Sequence, residues 1–298
     1  MKIVVRQKSG LGNQLFQYAA GWYYAKRYAA QLRITVDPER DAVSHGFPRP
    51  FLLSNFCISA PCSGLTLAER LVVSGNPKWK PAISVLRRVL GAQVLIEQPG
   101  QQHSFRQDLS IREDVRVIYL FGYWQVFPIV EEISADLRRE FRFRHPASGK
   151  NLDMLAQIER CKDSVSLHLR RGDFALAVEG NRALPMSYYR RAIKLFRDRL
   201  VDPVFFVFSD DIDYARKNLP GDIKATFVSD NDAWSAHEDL RLMSSCRHHI
   251  IANSSFSWWG AWLNPRPDKI VFAPKLWYCK PESYYPDLFP RDWILDDF

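Results

Sequence analysis

Two adjacent arginines after an apolar run are the most pointed chemical feature of this sequence. Val165, Leu167 and Leu169 alternate onto one face of a strand, His168 and Arg170 share the other, and Arg171-Gly172-Asp173 follows. Guanidinium groups at a strand end are costly if desolvated alone. Their planar fork suits bidentate contact with a phosphate. Asp173 can orient an arginine or act as a base; a local Arg170–Asp173 ion pair is the plain structural alternative. A lone His168 reads as structural. A second cluster, Asn253-Ser254-Ser255-Phe256-Ser257, follows the run Ile250-Ile251-Ala252 and opens a helix. Hydroxyls and unsatisfied backbone N–H groups at such a point make an anion site. Trp258, Trp259 and Trp262 beyond it read as core.

Three other segments follow strands. Gly10-Leu11-Gly12-Asn13-Gln14 opens a helix and lets a backbone approach a ligand closely. Leu15 stands where a dinucleotide fingerprint needs its third glycine, so a tight strand-to-helix turn is an equal reading. Ser209-Asp210-Asp211 reads first as a helix cap. Glu238 and Asp239 lie in a helix's first turn, where they cap it or accept two N–H donors from guanine. Tyr123-Trp124-Gln125 offers either an aromatic face to a sugar ring or buried packing.

The elements that must position these residues alternate between strands and helices. In the first half, strands at Ile3–Val5, Leu32–Val36 and Val115–Phe121 accompany helices at Gln14–Ala30, Thr66–Val73, Ile83–Leu90 and Phe127–Phe141. The polar stretch Arg144–Lys150 marks a boundary, giving domains 1–148 and 149–298. In the second half, strands at Val165–Arg170, Val204–Phe208, Ala225–Val228, His249–Ala252 and Ile270–Ala273 alternate with four helices. Long apolar strands separated by helices form parallel sheets. The expectation is an α/β protein of two Rossmann-like domains facing a cleft, with the aromatic C-terminal tail packing back on the N-terminal domain.

Composition narrows the classes. The 298 residues are 47% hydrophobic and 25% charged, which excludes a disordered or collagen-like chain. The 41 Lys+Arg outnumber 33 Asp+Glu, and the net +8 favours nucleotides, nucleic acid or an anionic membrane surface as partners. None of the five cysteines forms a C-x-x-C pair, so neither a zinc ribbon nor a disulfide framework fits. Reduced thiols in a reducing compartment are expected. No segment approaches the roughly 20 apolar residues of a membrane span, and the N-terminal apolar run is too short for a signal peptide. The expected location is the cytoplasm, with peripheral contact to the inner membrane allowed.

Taken together, residues 10–19 (GLGNQLFQYA), 168–173 (HLRRGD) and 253–263 (NSSFSWWGAWL) resemble the α-1,2-fucosyltransferase family of bacterial type. The resemblance implies a GT-B fold and inverting transfer of L-fucose from GDP-β-L-fucose to the 2-hydroxyl of a terminal galactose. It implies no metal and no cofactor, GDP-fucose being a substrate. Arg170 would carry the charge of the leaving diphosphate. His168, Arg171, Gly12, Ser254, Ser255 and Phe256 would bind the donor, and Asp239 would read guanine. Asn13 would act at the reacting centre with Asp173 as the candidate base. Tyr123, Trp124 and Gln125 are the acceptor-side candidates. Fucose transfer of α-1,6 or O-fucosyl type is the alternative within enzymes. A polyanion-binding protein is the alternative outside them, disfavoured because the basic residues are spread over helix faces; nucleic acid is not expected as a partner.

Overall fold

The computed structural model describes residues 1–37, 43–44, 46–74, 77–97, 103–172, 183–278 and 284–298. They divide into two compact units, Met1–Ser44 with Arg49–Arg142, and His45–Pro48 with Phe143–Phe298. Asp173 and Cys279 lie outside the described residues. Cys57, Cys62, Cys161 and Cys246 are free thiols.

The first domain runs β1 (Lys2–Gln7), α1 (Leu11–Arg27), β2 (Gln31–Val36), α2 (Leu67–Val73), α3 (Lys80–Val89), β3 (Ala92–Ile96), β4 (Val117–Phe121), α4 (Phe127–Glu132) and α5 (Ser134–Glu140). Its sheet has the order β2-β1-β4-β3, parallel throughout. Apolar side chains on both faces of β1 explain its central place. α1 lies so close over the sheet that a Cβ on Gly21 would come within 2.5 Å of Val5. Val4 packs on the opposite side with Val72, Ala92 and Tyr119. The helix expected at Phe127–Phe141 breaks at Ile133 into α4 and α5.

The second domain adds α6 (Gly149–Arg160), β5 (Ser164–Leu169), α7 (Met186–Arg199), β6 (Val204–Ser209), α8 (Ile212–Asn218), β7 (Lys224–Val228), α9 (Ala236–Ser245), β8 (His248–Ile250), α10 (Ser255–Leu263), β9 (Val271–Pro274) and β10 (Ile294–Asp296). The order is β10-β9-β8-β5-β6-β7, again all parallel. All of β5 is buried.

The second compact unit takes up the chain again at Phe143, where Arg241 on α9 stacks on the Phe143 ring at 4.1 Å and donates to the His145 carbonyl. The tail joins the sheet of the second domain. β10 pairs with β9, Trp258 donates from Nε1 to the Leu288 carbonyl, and Phe298 packs edge-on against Tyr188. Burial of these rings on Trp258 and Tyr188 is what draws the tail in.

A buried polar network ties β5 to β8. The Asn264 side-chain NH2 faces the Cys246 and Arg247 carbonyls and His249 Nε2. His249 therefore carries its proton on Nδ1 and donates to Ser166 Oγ at 2.8 Å. Burial holds His249 well below the ordinary histidine range, and pushes His103 down to about 4 and His168 to about 3. Depressed histidine values mean that the unfolded chain takes up protons near pH 6.5 that the fold refuses. Stability is thus complete above that pH and declines as pH falls through it, by about 1.4 kcal/mol per pH unit for each such histidine. A melting temperature that drops steeply from pH 6.5 to 5, and less steeply in His168→Asn, is the expected result; a flat profile would contradict neutral burial.

Candidate active site

In open parallel sheets, ligands sit beyond the carboxyl ends of strands where the strand order changes direction. In the second domain that point is β5 with β8, and the loops leaving them carry two of the three sequence motifs. Arg170 follows β5 and is about one-fifth exposed, with Nη1 2.9 Å from Asp210 Oδ2. Asp210 Oδ1 accepts the Arg171 backbone N–H at 2.8 Å. Arg171 is turned elsewhere: its Nε bonds Asp211 at 3.2 Å and its guanidinium covers the Tyr214 ring at 3.6 Å. Asp211 also caps α8 by accepting from Tyr214 N. The expected cap is present, but both aspartates additionally fix the two arginines.

His168 is buried beside them, its ring edge-on to Phe256 with centroids 5.9 Å apart. Burial first, and the Arg170 charge second, hold it neutral. Its Nδ1 has no hydrogen-bond partner among the described residues. Ser254 is the N-cap of α10 and accepts from Phe256 N. Ser257 accepts from Ala252 N and donates to the Ser254 carbonyl, holding the turn. Hence β5 and β8 bring a cation, an unpartnered imidazole nitrogen and a helix N-terminus to one sheet end. Asp239, in the first turn of α9, accepts from Asn231 at 2.7 Å, and burial raises its carboxyl to about 6 despite that bond.

In the first domain the sheet order turns between β1 and β4. Asn13, after β1, donates to Ser9 Oγ at 3.0 Å and accepts from Gln125 Nε2, after β4, at 2.6 Å. Gln14 donates to the Ser9 and Pro50 carbonyls and accepts from Leu52 N. Gln17 accepts from Lys8 N and donates to the Gly122 carbonyl. The glycine-rich loop is thus shaped by buried amides, and Gly12 lies inside α1. Trp124 is buried, edge-on to Tyr24, the packing alternative of the two that the sequence offers. Its left-handed φ of +53 and the Glu97 carboxylate, which accepts the N–H groups of Tyr123 and Trp124, turn the indole inward. Tyr123 stays half-buried with Lys8 Nζ 4.6 Å from its ring centroid.

The sequence model of glycosyl transferase family 11 matches residues 108–296. The chain belongs to glycosyl transferase family 11. An Escherichia coli alpha-1,2-colitosyltransferase is 31% identical to this transferase, covering 98% of each chain. The E. coli O-antigen biosynthesis glycosyltransferase WbnK is 28% identical over 91% of the transferase and 93% of the relative. The structure of NodZ alpha-1,6-fucosyltransferase soaked with GDP-fucose superposes with a TM-score of 0.52 at 19% identity, covering 91% of this chain and 94% of that one. The fold of the transferase is therefore GT-B.

Three groups make contacts that the sequence did not reveal: Asp210, read there only as a helix cap, Gly172 and Glu97. Parallel pairing of β5 with β6, which sets Leu169 against Ser209, is what brings 170–172 alongside 210–211. A Cβ on Gly172 would stand 2.5 Å from Asp210 Oδ2. Gly172→Ala therefore displaces Asp210 from Arg170. Because misplacing a catalytic group by about 1 Å can cost a hundredfold, kcat should fall about 10- to 100-fold while the melting temperature changes little. An unchanged kcat would show that the aspartate does not set the arginine.

Proposed function

We propose that this family 11 enzyme transfers L-fucose from GDP-β-L-fucose to the 2-hydroxyl of a terminal galactose, with inversion and without a metal ion. The observation that carries this reading is Arg170 with the neutral His168, whose Nδ1 has no hydrogen-bond partner among the described residues, and the capped N-terminus of α10. Arg170 and the α10 N-terminus, with Ser254 and Ser255, offset the charge that builds on the leaving diphosphate, often the largest catalytic contribution. His168, held neutral, serves as a hydrogen-bond partner of the nucleotide rather than a second cation, and Phe256 packs beside it. Asp239 accepts the two N–H donors of guanine. The galactose oxygen attacks the anomeric carbon from the face opposite GDP. The bond to phosphate oxygen breaks with its electron pair passing to GDP, and the hydroxyl proton passes to Asp173. Asn13, Tyr123 and Gln125 contact the acceptor, Gln125 Oε1 being buried and unpartnered among the described residues. Asp210 and Asp211 are each engaged by an arginine, which supports metal-independent transfer. The proposed setting is the cytoplasm, with peripheral membrane contact.

A second donor is favoured by one finding, the colitosyltransferase relative at 31% identity. Colitose is L-fucose lacking the 3-hydroxyl, so both sugar nucleotides present the same diphosphate and guanine. The deciding experiment offers GDP-fucose or GDP-colitose with lactose in the presence of a chelator and maps the product by NMR. Fucose on the galactose 2-hydroxyl is expected. Transfer of colitose alone, fucose on another hydroxyl, or loss of transfer with chelator would each overturn the corresponding part of the reading.

A further inference from the structure

The net charge of +8 is not explained by Arg170 and its neighbours. Residues 66–90 carry five basic side chains, Arg70, Lys78, Lys80, Arg87 and Arg88, against the single acid Glu69. This local excess is half of the chain's total, and Glu69 is itself engaged by Arg33. The same stretch carries an unusual load of exposed apolar surface. Leu67 and Leu71 on α2 are 82% and 58% exposed, Trp79 63%, and Val85 and Val89 on α3 65% and 72%.

These side chains are exposed although each helix has a separate buried stripe. Val72 of α2 and Ile83 of α3 are the buried positions, and Leu86 packs into the same core as Val72. Arg87 donates to the Val72 carbonyl at 2.7 Å, tying α3 to α2. The pairs Leu67/Leu71 and Val85/Val89 each lie four residues apart, on the outer side of their helices. The helices are therefore anchored by one face and offer a second, apolar face to solvent, with Arg70, Lys78, Lys80 and Arg88 exposed alongside. A surface of this kind, cationic and apolar together, matches the interfacial zone of an anionic bilayer, where apolar side chains enter the headgroup boundary and basic ones meet lipid phosphates.

We propose that α2 and α3, with Trp79 just ahead of α3, form a docking surface for an anionic lipid bilayer. The occupant is chosen by charge. A second copy of this chain would bring four more exposed cations against these four, whereas anionic lipid neutralises them. The surface uses none of the residues assigned to transfer, so docking and catalysis are separately testable.

The test is flotation of the whole chain with vesicles, without sugar nucleotide. Binding is expected to vesicles containing phosphatidylglycerol and not to pure phosphatidylcholine, and should weaken as salt is raised. Lys80→Glu combined with Arg88→Glu should reduce partitioning at least about tenfold, each basic residue near an anionic surface being worth about fivefold. Trp79→Ser with Val89→Ser should reduce it comparably, because both side chains are exposed and their loss leaves the core intact. Transfer to a soluble acceptor should be unchanged in all variants. Absence of flotation, flotation indifferent to both double variants, or a wild-type dimer in light scattering that dissociates in Trp79→Ser/Val89→Ser would overturn the proposal, the last by assigning the face to a second copy.

Discussion

Arg170→Ala should cost at least about a hundredfold in kcat and leave the protein folded. Removing one preorganised donor to a developing oxyanion typically costs two to three orders of magnitude, and Arg170 bears the full charge where the proposed diphosphate departs. The structural loss is small by comparison. Arg170 and Asp210 are both partly exposed, at 19% and 24%, and pairs of that kind contribute about 1 kcal/mol or less. Asp210 keeps its bond from the Arg171 N–H, so its carboxylate is not stranded. Arg170→Lys is the informative companion: it retains charge but loses the fork, and should recover part of the rate. The measurement is kcat at saturating donor, set beside the melting temperature. Turnover near that of the parent in Arg170→Ala would remove the arginine from the reaction.

Asp239→Ala should raise the donor KM by about 10²- to 10⁴-fold with little change in kcat. Two N–H donors of guanine meeting one carboxylate are charge-assisted bonds worth about 1.5–3 kcal/mol each. The parent enzyme should also prefer GDP-fucose to the inosine analogue, which lacks the 2-amino group, and the variant should not. Acid sharpens the test. Burial places the Asp239 carboxyl near 6, so below that pH one of its oxygens carries a proton and no longer accepts. Donor KM should be flat above about pH 7 and climb as pH falls through 6, by up to tenfold per unit. Asp239→Asn should have a high KM without that slope. A parental KM in either variant would mean that another group reads the base.

How much of this was legible depends on how local the signal is. β5 alternates apolar and polar side chains while β6 is a nearly continuous apolar run, and Val204–Ser209 needed only its neighbours to be read as a buried strand. The three motifs stand at strand ends because parallel sheets put them there. β3 and β10 are short strands in which Ala92 alone is fully buried, and their pairing with β4 and β9 is set by tertiary contact. α6 buries only Ile158 fully, so its periodicity is faint. The Arg170–Asp210 pair is invisible locally, since forty residues separate the two and only sheet register joins them. Trp124 shows the converse case. Its type left a sugar face and buried packing both open, and the distant Glu97 carboxylate, with the residue's own left-handed backbone, turns it inward.

The strand order of the second domain also dictates when its ligand-binding end can exist. β5 is the first of these strands in the chain, and β6 and β7 add to one of its edges in succession. The other edge waits for His248–Ile250, some eighty residues later. During synthesis from the N-terminus, Arg170 and its aspartate partners can therefore settle while the opposite edge of β5 is still an unpaired apolar strand. Ser254 and the α10 N-terminus arrive only as that edge closes. Formation of the proposed anion-binding end and protection of that open strand edge are thus the same folding event, so a lesion in β8 should deprive the enzyme of solubility and of nucleotide affinity together.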